Sequence, residues 1–149
     1  MWMEYKNDKN LCYFTLLWGA LYLGAGLLQV MKGTELLPYN FLSANMLPPE
    51  TAGGLVLVVT GAVYLYGTFE FSRGSFEGRA YAYVGLILSL VFGALYFLTS
   101  TADLINARIL FAEGYEEWTP LSAFKPALYL GMLSLAAYTG WKEKFGFQE

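Results

Sequence analysis

The chain has 149 residues, 56% of them hydrophobic and 14% charged, with a formal net charge of −3 and no histidine. Soluble domains carry about a quarter charged residues, so this composition excludes an ordinary globular protein, and the negative balance offers no basic footprint for nucleic acid. Without imidazole there is no His-ligated haem, no His-based triad and no common zinc or copper site, and the single Cys12 can hold neither an iron–sulfur cluster nor an internal disulfide.

Four apolar stretches, residues 11–31, 51–69, 81–102 and 123–139, fill most of the chain and carry no charge at their centres. At ~1.5 Å per helical residue, such stretches are long enough to cross a hydrocarbon core ~30 Å thick. The expected fold class is all-α: an integral membrane four-helix transmembrane bundle, formed as one domain over residues 1–149.

Residues 1–10 are polar but include Trp2 and Tyr5, which suit the membrane–water interface. The first span pairs Thr15 with Gly19 and Ala20 with Gly24 at helical spacing, and it closes at Lys32-Gly33. The connection that follows, KGTELLPYNFLSANMLPPE, is too apolar for a solvated loop. It is expected to lie in the headgroup region or over the bundle, with Tyr39 and Phe41 as candidate anchors for a partner. Glu50 then leads the second span, where a carboxylate meets the positive end of the helix dipole.

Lipid tails are as apolar as leucine, so membrane helices associate by close packing, and small residues mark the contacts. The second span has Gly54, Gly61 and Thr68 at seven-residue intervals, with Gly53, Thr60 and Gly67 beside them. The third has Gly85, Ser89 and Gly93, one helical turn apart. Spans two and three are therefore expected at the centre of the bundle. The segment EFSRGSFEGR between them reads as a water-exposed turn with local charge pairing and bends at Gly74 and Gly78. In the fourth span, Ala127, Gly131 and Ser134 form a similar stripe.

Apolar periodicity continues past the third span through Asp103, Leu104, Ile105, Arg108, Ile109 and Phe111. A helix of that length must project, tilt or break, with Asn106 the expected point. The segment GYEEWTP returns Tyr115 and Trp118 to the membrane face as a second candidate partner surface, and Lys125-Pro126 opens the fourth span. Asp103 and Lys125, at the facing ends of spans three and four, are expected to form an ion pair.

Lys6, Lys9, Arg73, Arg79, Lys142 and Lys144 fall on the side of the termini and Lys32, Arg108 and Lys125 on the other, six cations against three. The excess places both termini in the cytoplasm. No catalytic residue, cofactor or metal site is nominated, and the expected partners are membrane lipids and other membrane subunits or copies of the same chain. The leading functional expectation is a non-catalytic accessory subunit. A small-molecule transporter or channel acting as an oligomer is the alternative, with an interfacial lipid-handling enzyme behind it.

Overall fold

The computed structural model describes residues 2–38, 48–115 and 118–145, and every regular element among them is helical. The elements are α1 (Trp2–Gly33), α2 (Thr51–Ser72), α3 (Glu77–Arg108), a single 3-10 turn over Pro120–Ala123, and α4 (Pro126–Phe145). In hydrocarbon every backbone N–H and C=O must be satisfied within its own segment, which a helix alone achieves for a single pass. Three helices, Lys9–Gly33 within α1, then α2 and α3, are long and apolar enough to cross a membrane. α4 is shorter and ends in the charged run from Lys142 to Lys144, although Pro126 to Trp141 carries no charge.

The helix boundaries differ from expectation at several ends. α1 begins at Trp2, so the polar tail is helical. α2 and α3 extend into the connection between them and leave residues 73–76 as the turn, where Gly74 adopts a left-handed φ of 71°. Gly78 makes no bend: it lies inside α3, where a β-carbon would come within 2.8 Å of the Phe71 ring. Arg73 stacks over Phe69 at 4.1 Å instead of pairing with a neighbouring acid. α3 runs two residues beyond Asn106, whose carbonyl accepts from Ala112 N after the helix has ended. The segment expected at the interface, including Tyr39 and Phe41, falls mainly on residues 39–47, outside the described residues.

Consecutive helices are antiparallel neighbours, and α1 with α2 is the most extensive pair. Its seam is made of glycines. Gly19, Gly26 and Gly33 of α1, each seven residues apart, face Leu65, Gly54 with Val58, and Thr51 of α2. A β-carbon on Gly26 would lie 2.7 Å from the Gly54 carbonyl oxygen, and one on Gly61 would lie 2.5 Å from Leu23 N. Backbones in such contact gain dispersion energy along their whole length, which is the main attraction available in lipid.

The second stripe of α2 looks the other way. Gly53 packs under Tyr96 and Gly67 under Tyr81, both on α3. α2 is thus held between α1 and α3, and α3 in turn between α2 and α4. In α3 one stripe serves two neighbours: Gly85 receives the Tyr64 ring of α2, while Gly93 meets Gly131 of α4, with a β-carbon at Gly93 only 2.9 Å from Gly131 Cα. Ala20 and Gly24 of α1 do not form the seam; Ala20 is exposed, and Gly24 has nothing within 4 Å of a β-carbon.

Candidate functional site

Buried polar groups midway along the helices bond to one another across the bundle. Trp18 Nε1 of α1 donates to Ser134 Oγ of α4 at 3.1 Å, and the Tyr22 hydroxyl shares the same oxygen at 3.3 Å. The Tyr64 hydroxyl of α2 meets Ser89 Oγ of α3 at 3.1 Å, while Ser89 also donates to the Gly85 carbonyl at 2.8 Å. Lower down, Thr68 Oγ1 donates to Thr15 Oγ1 at 2.9 Å, and Thr15 donates in turn to the Cys12 carbonyl at 3.0 Å. A hydroxyl left alone in hydrocarbon costs several kcal/mol, so this pairing is what makes the side chains tolerable there. The Trp18–Ser134 and Tyr22–Ser134 bonds also close the bundle by joining its first and last helices.

The end of the bundle that carries Lys32 and Lys125 has a different character. Glu50 sits at the N-cap position of α2, yet its side chain makes no cap bond. Its carboxylate turns across the bundle instead: Tyr96 Oη donates to Oε1 at 3.1 Å, and Lys125 Nζ lies 3.4 Å from Oε2. The Lys125 ammonium also rests 5.4 Å from the centroid of the Tyr96 ring. Gly53, one turn into α2, makes room for this group, because a β-carbon there would collide with the Tyr96 hydroxyl and lie 3.3 Å from the Glu50 carboxyl carbon. Gln29 Nε2 of α1 would be 3.2 Å from the same β-carbon. Gln29 is 1% exposed and its carbonyl oxygen has no hydrogen-bond partner.

Lys125 therefore pairs with Glu50 and not, as expected, with Asp103. The two lie at different levels: Asp103 is seven residues beyond Tyr96, ~10 Å further along the axis of α3. Asp103 Oδ1 instead accepts from the Tyr115 hydroxyl at 3.3 Å, which ties the returning chain to the last turns of α3. Sequence spacing could not reveal the Glu50–Tyr96–Lys125 group, because its members are 46 and 29 residues apart and Glu50 has a sufficient local role as a helix-start acid.

Beyond Asp103, Tyr115 and Trp118 line an open hollow with Ala107, Arg108, Phe111 and Ala112. The Trp118 amide donates to the Tyr115 carbonyl at 3.1 Å, and Phe111 holds a left-handed φ of 46° with its ring 80% exposed. Among the described residues, no group of three or more His, Cys, Asp or Glu side chains could hold a metal ion.

No curated protein and no solved structure matches the chain. The sequence pattern of the MJ0565 integral membrane domain matches residues 6–143, from the first helix into the last. Three helices long and apolar enough to cross a membrane agree with that description, and the chain belongs to the MJ0565 integral membrane domain family.

Proposed function

We propose that this small integral membrane protein is a non-catalytic accessory subunit of a membrane complex, and that it meets its partner at the end of the bundle where α3 runs out. The observation that carries this reading is the apolar surface gathered there. Phe111 is 80% exposed and lines the hollow with Arg108, Tyr115 and Trp118, and Ile109, Leu110, Leu121 and Phe124, in the same stretch between α3 and α4, are also more than half exposed. Aromatic and arginine side chains around a concavity have the make-up of an interface centre. The strained backbone of Phe111 adds to this, since a non-glycine residue at positive φ costs on the order of 1–3 kcal/mol and is kept where something uses it. Among the described residues, the bonds that Ser134, Tyr22, Tyr64, Ser89, Thr68 and Thr15 make between helices support the same reading, because hydroxyls engaged with one another are not offered to a solute.

In this proposal α4 also crosses the bilayer, which gives four passes and puts both termini in the cytoplasm. A reporter fused after Glu149 is then expected to behave as cytoplasmic, and one inserted at Asn40 as external. An external signal from the first fusion reverses the orientation.

The transporter alternative gives the opposite functional forecast. Liposomes containing only the purified chain are expected to show no solute flux above empty liposomes. Flux abolished by Glu50→Gln or Lys125→Met would overturn the subunit reading.

A further inference from the structure

We propose that Gln29, Glu50 and Tyr96 form a recognition site for a primary ammonium group, and that Lys125 is its built-in occupant, displaceable by an external amine.

Three oxygen-bearing side chains from three different helices converge over Gly53. The Glu50 carboxylate supplies negative charge, and the Tyr96 hydroxyl donates to that carboxylate while keeping its own lone pairs. The amide of Gln29 stands beside them with its carbonyl oxygen unpartnered, although the side chain is 1% exposed. The two ends of an amide exchange places by a half-turn about the terminal bond, which brings that oxygen toward the other two. A buried acceptor without a donor is costly, and an N–H arriving at this point removes the cost.

The group that belongs there is identified by what already occupies it. Lys125 places an ammonium against Glu50 and near the face of the Tyr96 ring, so carboxylate and aromatic face both act on one cation. Lys125 does not reach Gln29: the amide oxygen stays unpaired with the ammonium in place. An untethered amine is free of that reach and can donate its three N–H groups to Glu50, Tyr96 and the turned Gln29 oxygen together.

The tether is short and can give way. Lys125 lies in the two-residue link between the 3-10 turn and α4, its side chain is 24% exposed, and that of Glu50 is 35% exposed. The ion pair therefore reaches the surface at this end of the bundle, and Lys125 can swing out without unwinding a helix. A tethered cation competes as if present at high local concentration, so an external amine binds the native protein more weakly than it binds a chain lacking that ammonium.

The test follows thermal unfolding of the full chain in lipid nanodiscs during titration with methylammonium chloride. Sodium chloride and tetramethylammonium chloride, which carry charge but no N–H, serve as the other arms. Lys125→Met is expected to show a saturable rise in midpoint with methylammonium alone. The native chain should show the same rise at about tenfold higher concentration or more. Adding Gln29→Leu to Lys125→Met should leave the starting midpoint unchanged or higher, because an unsatisfied buried amide is removed, yet weaken the methylammonium response at least about tenfold. Adding Glu50→Gln should abolish it. An equal response to sodium or tetramethylammonium would overturn the proposal, as would no response in the native chain at any methylammonium concentration it tolerates.

Discussion

Replacing Gly61 with leucine is expected to destabilise the bundle by at least ~3 kcal/mol, at the upper end of the range for overpacked sites. A β-carbon at this position already lies 2.5 Å from Leu23 N and 3.0 Å from the Gly19 carbonyl oxygen. Those atoms belong to a backbone, so no side-chain rotation relieves the clash, and α1 must move away from α2. The same displacement separates Gly26 from Gly54 and Thr15 from Thr68, because both pairs lie on the same helix interface. Val59→Leu is the control: its side chain is 57% exposed on the outside of the same helix and should change stability by less than about 0.5 kcal/mol. The measurement is unfolding of the reconstituted protein by denaturant or force. Equal tolerance of leucine at Gly61 and Val59 would remove the glycine seam as the main contact.

Tyr64→Ala should cost about as much, ~3–5 kcal/mol, whereas Tyr64→Phe should cost only about 0.6 kcal/mol. The ring of Tyr64 is fully buried and fills the notch left by Gly85. It packs edge-on against Phe14 with centroids 5.9 Å apart, and at a tilt of 42° against Tyr22 at 5.8 Å. Alanine leaves a cavity bordered by three helices. Phenylalanine keeps the ring and loses only the bond to Ser89, whose hydroxyl still donates to the Gly85 carbonyl. A large loss from Tyr64→Phe would mean that the hydroxyl network, and not ring packing, holds the middle of the bundle.

The sequence made the membrane class and the helices visible because apolar length is a one-dimensional property. The stripes of α2 were visible for a related reason: Gly54–Gly61–Thr68 and Gly53–Thr60–Gly67 repeat at seven residues, a period that persists along one face. Which neighbour each stripe meets was not visible, since periodicity identifies a face without naming its partner. α1 carries the matching period at Gly19, Gly26 and Gly33, which could have been found by searching for the same interval. Charge pairing was the least legible feature. Lys125 chooses Glu50 over Asp103 because the antiparallel arrangement brings the starts of α2 and α4 to one level, while α3 carries Asp103 past it. That level is set by helix lengths and turns, which local sequence specifies only to within a few residues.

Docking to another membrane protein is read from the native mass of the protein after gentle extraction from its own membrane. A heteromeric complex heavier than the 16.6 kDa chain is expected, reduced to the chain with its lipids by Tyr115→Ser with Trp118→Ser while the helical content stays unchanged. A chain that emerges alone, or bound only to copies of itself, with the same mass before and after those substitutions, would contradict it.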